Sequence, residues 1–209
     1  MGNVTSVKSK TFAANGASTA AICANQTNSG SGSMTLTDTG KNGVLVPGNL
    51  GTTITITSTT GTTNAGITFD VTGMDINGDS ASQTSITGPA GSATVTTTQV
   101  FVSVTSITHS GTCTDVSCGI TATTTGTGVV FAGRTRIRGM HIVPSSQEGV
   151  IDFRNGSSSG TKVLEMGVYS DQTPVDPYIP DNGVLFKDGA MVDIGTTDLA
   201  DNITVFYDG

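Results

Sequence analysis

Apolar and polar residues alternate along much of the chain. In TITITST, Ile54 and Ile56 fall on one face while Thr55 and Thr57 fall on the other, the period of a half-buried strand. ITFDVTG sets Ile67, Phe69 and Val71 on a single face, and VFVSVTSI repeats the device with Val100, Val102 and Val104. Further strands are predicted at 4–8, 19–24, 33–37, 43–46, 82–87 and 118–124. Beyond residue 129 the same grammar continues in RTRIRGMHIV, GVIDFRNG, TKVLEMGVY, NGVLFKDGAMVDIG and NITVFYD. Pro174, Pro177 and Pro180 make TPVDPYIP an extended connection rather than a central strand. No segment predicts a helix longer than two turns. At most a short turn is expected around residues 94–99.

One stretch poses a choice. FDVTGMDINGDSASQTSITG, residues 69–88, carries Asp75, Asn77 and Asp79 at alternate positions, as an EF-hand calcium loop begins. That loop needs Gly at its sixth position and a bidentate acid at its twelfth, where this chain has Ser80 and Ile86. Asn77-Gly78 between alternating runs is instead a hairpin signal, because a two-residue turn asks both residues to accept positive φ. The hairpin is the expectation.

Composition changes the picture in one respect. Hydrophobic residues make up 35% and charged residues 12% of the 209, so Gly, Ser and Thr fill the apolar deficit. Thr favours strands and Gly serves turns, which reads as all-β rather than disordered. The charges are uneven: residues 1–128 hold three basic and five acidic residues, and 129–209 hold six and eleven. Thr runs the other way, 32 before residue 129 and six after. The expected organisation is two β-sandwich domains in tandem, Ig-like or jelly-roll-like, at 1–128 and 129–209.

A net charge of −7 argues against a general nucleic-acid binder. No apolar run approaches the roughly 20 residues that span a bilayer, and MGNVTSVKSKTF lacks the apolar stretch of a secretory signal. Met1-Gly2 opens like a myristoylation site, supported only by Ser6. The three cysteines, Cys23, Cys113 and Cys118, make no disulfide framework. Free thiols are expected, with a Cys113–Cys118 bridge as the alternative. His109 is the one nearby residue that could extend them toward a zinc site.

Enzymatic motifs are thin. GSSSG, Gly156 to Gly160, matches G-x-S-x-G around Ser158, but no helix is expected after it and both His109 and His141 precede it. A polar hairpin loop is the expectation. Asp152, Glu165, Asp188 and Asp193 could supply a carboxylate pair, yet acids scattered on strands usually form solvated faces. Trp is absent and aromatics are 5%, which leaves no platform for a sugar. No P-loop occurs. No catalytic residue, cofactor or metal ligand is therefore assigned. Arg134, Arg136 and Arg138 alternate, so one strand face would carry three guanidiniums. They can form a docking stripe for an acidic neighbour or a ladder with the chain's own acids.

The stretches STAAICANQT, TITITST, ITFDVTGMDINGDSASQTSITGP and TTTQVFVSVTSIT resemble small β-sandwich domains of tailed-bacteriophage structural proteins. RTRIRGMHIV through ITVFYDG is similar to another β-sandwich module of phage particles. The resemblance implies a non-enzymatic virion component assembled in the host cytoplasm. A capsid decoration or cement protein leads, bound to the major capsid protein or other virion proteins as a homo-oligomer, a trimer being favoured. A neck, tail or fibre component comes second and a host-glycan-binding module third. Neither nucleic acid nor membrane is an expected partner, and Arg134, Arg136 and Arg138 are the candidate interface anchors.

Overall fold

The computed structural model describes residues 7–37, 44–45, 47–170, 173–180 and 182–209. Among these residues there is no α-helix, and seventeen strands form four antiparallel sheets. The chain divides into two compact units, with a boundary unlike the expected cut at 128. One unit comprises the described residues of 7–15, 47–50 and 124–209; the other comprises those of 16–46 and 51–123. They are called here the terminal and the inserted unit.

In the inserted unit one sheet holds β2 (Ser18–Asn28), β10 (Cys113–Ile120), β5 (Thr52–Ser58) and β8 (Thr94–Phe101) in that order. The other runs β3 (Gly32–Ser33), β9 (Ser103–His109), β6 (Thr68–Met74) and β7 (Ser80–Thr87), and β4 (Val44–Leu45) also pairs with β9. Alternation is the cause: Ile54, Ile56, Phe69, Val71, Val104 and Ile107 are fully buried in one shared core. Each such side chain contributes about 1.5–3 kcal/mol on burial.

The terminal unit pairs β1 (Lys8–Ala13), β17 (Ala200–Asp208), β12 (Thr135–Pro144) and β15 (Val184–Phe186) in one sheet. Its second sheet is β11 (Gly126–Phe131), β16 (Ala190–Ile194), β13 (Gly149–Asn155) and β14 (Lys162–Val168). Phe12, Leu50, Ile137, Phe153, Phe186 and Ile203 share its core. Both units are sandwich-like in this sense: two sheets, one core.

Several expectations are corrected. The first strand does not join the following residues: it pairs with β17, Lys8 opposite Tyr207 through Ala13 opposite Asn202. Residues 94–99 form no turn but the body of β8, where Thr-rich alternation suits an edge strand. VFVSVTSI is not one strand, since the chain breaks at Val102 between β8 and β9. Phe101 and Val104 are buried there, and Val100 and Val102 are only half-buried. The strand expected at 33–37 is limited to Gly32–Ser33. The one expected at 118–124 ends at Ile120 but begins earlier, at Cys113. Parts of the strands expected at 4–8 and 43–46, and Met1-Gly2 with Ser6, lie outside the described residues. The proline segment 173–180 is an extended connection, as expected, and meets β12 at the bridge Ile142–Val175 and at the His141–Asp176 pair.

The unit boundary has a consequence for fragments. A piece spanning 129–209 lacks Phe12 and Leu50, both fully buried, and leaves the outer edge of β17 unpaired. Removing a buried Leu or Phe side chain costs about 2–5 kcal/mol. In urea, monitored by circular dichroism, this fragment is expected to show no cooperative transition. A transition as sharp as the full chain's would refute the assignment of β1 and residues 47–50 to this unit.

Candidate functional site

The arginine face is built on β12, and the structure breaks its periodicity. Arg136 lies opposite Asp208 and Ile137 opposite Tyr207, but the next partner of Phe206 is Gly139. Arg138 is thus the extra residue of a β-bulge, which turns the following side chains over. Ile137 and Met140 can both reach the core only because of it; each is buried. The three arginines have separate fates. Arg136 donates from Nη1 to the carbonyls of Asn182 at 2.9 Å and Gly183 at 3.4 Å. That turn needs glycine: Gly183 has φ +66, and a Cβ there would lie 2.6 Å from the Ile137 carbonyl oxygen. Arg138 Nε sits 3.4 Å from Asp208 Oδ2. Arg134 is exposed and makes no ion pair or hydrogen bond among the described residues. Arg134, Thr135, Arg136, Leu185 and Asp208 line a shallow cleft of about 280 Å³.

A second charged cluster was not read from the sequence as a unit. Asp152 on β13 stands opposite Asp193 on β16 and Glu165 on β14. Arg154, two residues along and so on the same face, bridges the first two: Nη2 to Asp152 Oδ2 at 3.0 Å and Nε to Asp193 Oδ2 at 2.9 Å. Lys162 Nζ closes the group, 3.1 Å from Asp152 Oδ1 and paired also with Glu165. Two of the four acids considered above, Asp152 and Asp193, therefore meet around one guanidinium, and a third, Glu165, joins them through Lys162. The fourth, Asp188, instead accepts from Asn155 Nδ2 at 2.7 Å. The usable signal was the i, i+2 pair Asp152-Arg154 within a strand. Ser158 lies in the β13–β14 hairpin loop, which the Gly160 N–H to Ser157 carbonyl bond closes at 2.9 Å.

The Asp75 constellation is consumed by its own turn. Asp75 Oδ1 accepts the N–H groups of Asn77 and Asp79 at 2.8 and 3.0 Å, and Oδ2 accepts from Asn77 Nδ2. The hairpin forms, but not through the expected two-residue turn: only Gly78, at φ +85, is left-handed, while Asn77 is not. The Gly78 N–H to Asp75 carbonyl bond makes a type I turn followed by a left-handed glycine.

His109 is buried, its Nδ1 2.7 Å from the Gly111 carbonyl and its Nε2 3.5 Å from Asn28 Nδ2. Among the described residues no three His, Cys, Asp or Glu side chains are arranged to hold a metal ion. The three cysteines are free and buried. His141 Nδ1 meets Asp176 Oδ1 of the proline segment at 2.8 Å.

Two tyrosines project. Tyr169 is 68% and Tyr178 84% exposed, and sequence periodicity gave no sign of either. Tyr169 borders a groove of about 430 Å³ with Glu148, Gly149, Val150, Gly167 and Val168. No protein-family model matches the chain, and no curated protein or solved structure is significantly similar to it.

These contacts have measurable outcomes. A chelator should leave the melting temperature unchanged, whereas Asp75→Ala should lower stability by about 1 kcal/mol; calcium-restored loss on chelation would reverse the turn assignment. Arg154→Ala removes one of the two cations paired with the largely buried Asp152, leaving Lys162, and should cost roughly 1–3 kcal/mol by urea titration. Lys162 offers a pH signature. Hydrogen bonds donated to Glu165 and then to Asp152 raise its pKa above the ordinary 10.5, so the folded chain holds this proton more tightly than the unfolded one. Its contribution is present below pH 10.5 and is lost as pH climbs through the raised value. Lys162→Met should flatten that alkaline decline.

Proposed function

We propose that this chain is a non-enzymatic structural protein of a tailed-bacteriophage virion, a capsid decoration or cement protein bound outside the head lattice as a homo-oligomer. Each sheet pair with its own core reads as one β-sandwich domain. The two domains are then nested along the chain, one set into the other.

The observation that carries the reading is the chemistry left outward by the two cores. The inserted unit presents hydroxyl pairs at its surface, Thr57 with the exposed Thr94 at 2.9 Å and the half-buried Thr53 with Thr121 at 2.9 Å. Such side chains can exchange hydrogen bonds with a neighbour without desolvating a charge. The terminal unit adds Tyr169 and Tyr178, the kind of rigid aromatic side chain that anchors interfaces. Contacts that are weak singly gain avidity when repeated around a symmetric oligomer and across a lattice. Of the three arginines, Arg134 is the best anchor. Its guanidinium is unpaired among the described residues, while Arg136 and Arg138 serve their own chain.

Adding purified protein to particles and imaging them tests the assignment. Density following icosahedral symmetry supports decoration, density confined to the tail axis favours the neck, tail or fibre reading, and no association removes both. Arg134→Ala should weaken particle binding by roughly two- to fivefold per contact and reduce its salt dependence. Arg138→Ala should leave binding nearly unchanged.

A further inference from the structure

The inserted unit carries a pair of thiols that its architecture sets face to face. Cys118 on β10 is the direct cross-strand partner of Cys23 on β2. Directly opposed residues of antiparallel strands have Cα atoms about 4.5–5.5 Å apart, inside the roughly 4.4–6.8 Å that a disulfide spans. The alternative weighed from the sequence fails the same test. Cys113 and Cys118 lie on one strand, five residues apart, which is about 16 Å of extended chain. Cys113 is also turned elsewhere, its Sγ 3.9 Å from Met34 Sδ.

We propose that Cys23 and Cys118 are an oxidative modification site, a dithiol that closes to an intramolecular disulfide linking β2 to β10. Two features make the pair reactive although both thiols are buried. First, β2 is the edge strand of its sheet, and the β2–β10 register shifts on both sides of Cys118. Opening one irregular edge, rather than the core, admits a small oxidant. Second, the thiols polarise each other. The Cys118 side chain hydrogen-bonds to Cys23 and lowers its pKa, whereas the same bond, followed by burial, raises that of Cys118. Cys23 also lies on the edge strand that opens, whereas β10 is flanked on both sides, which makes Cys23 the nucleophile and Cys118 the resolving thiol.

With hydrogen peroxide as oxidant the steps balance. The Cys23 thiolate attacks one peroxide oxygen, the O–O bond breaks, and sulfenic acid and hydroxide result. The hydroxide takes up the proton that Cys23 had released, giving water. The Cys118 sulfur then displaces the sulfenic hydroxyl, which leaves as water with the Cys118 proton. Two thiols and one peroxide give one disulfide and two waters.

The full-length chain is treated with peroxide in the folded state, unfolded with an alkylating agent, and mapped without reductant. The expected result is a loss of about 2 Da, a single peptide pair linking Cys23 to Cys118, and Cys113 recovered alkylated. Cys113→Ser should behave identically, and Cys118→Ser should accumulate a dimedone-reactive sulfenic acid at Cys23. A link through Cys113, a disulfide between chains, or three alkylatable thiols after treatment that oxidises the unfolded chain would each overturn the proposal. The mapping of the unmodified chain decides the matter even if a variant fails to fold.

Discussion

The pairing of the first strand with the last is the constraint on which the terminal unit depends. β1 meets β17 over six residue pairs, with nearly the whole chain between them. Closing so long a loop carries an entropy cost that grows slowly with length but must be met before the contact forms. Compact folding of the inserted unit shortens the effective loop, because 16–46 and 51–123 gather their own contacts. The strand is then held by more than its ladder. Phe12 enters the core fully, and Lys10 Nζ donates to the Val129 carbonyl at 2.7 Å. Burial lowers the Lys10 pKa, and that hydrogen bond offsets part of the desolvation. Gly128 completes the seat, since a Cβ there would fall 2.4 Å from the Phe12 ring.

The inserted unit solves a different problem, holding loops and edges with few charges. It does so with side-chain amides. Gln83 Oε1 on β7 accepts the N–H groups of Thr98 and Gln99 on β8 at 2.8 and 2.9 Å, so a side chain blunts an edge that would otherwise be open. Asn64, almost fully buried, donates to the Thr114 carbonyl at 3.1 Å and accepts from the Thr114 N–H at 3.0 Å. It acts as a two-point substitute for a strand. Two of its acids are committed to the backbone or to hydroxyls: Asp70 accepts from Ser85 N–H at 2.7 Å, and Asp115 from Thr60 Oγ1 at 2.5 Å.

What the sequence revealed follows the range of the interaction. Ile54, Ile56, Phe69 and Val71 were legible because a period of two is a local property, and the Asp75 hairpin because turn chemistry is local too. The partner of β1 was not legible, since nothing in KSKTFA names a strand some 200 residues away. The misreading of Val100, Val102 and Val104 has a local cause of the opposite kind: uninterrupted alternation hid a change of sheet at Val102. The bulge at Arg138 likewise hid behind a regular arginine spacing, although the step from Ile137 to Met140 is a phase slip that only an extra residue can absorb. Arg154 escaped because it is one cation among acids until the register places Asp193 beside it.

Regrouping the chain by unit rather than by halves sharpens the division of charge. The inserted unit contains one basic and five acidic residues; the terminal unit contains eight and eleven, together making the nine and sixteen of the whole chain. Lys8 and Lys10 account for the change, moving with β1. The two surfaces therefore differ in how they can meet a partner. A contact through the inserted unit rests on hydroxyls, amides and apolar area, so salt should affect it little. A contact through the terminal unit can be steered by charge, and its strength should fall with ionic strength. Because Arg136, Arg138, Arg154 and Lys162 are already engaged within the unit, any such steering narrows to the few cations outside these networks, Arg134 foremost.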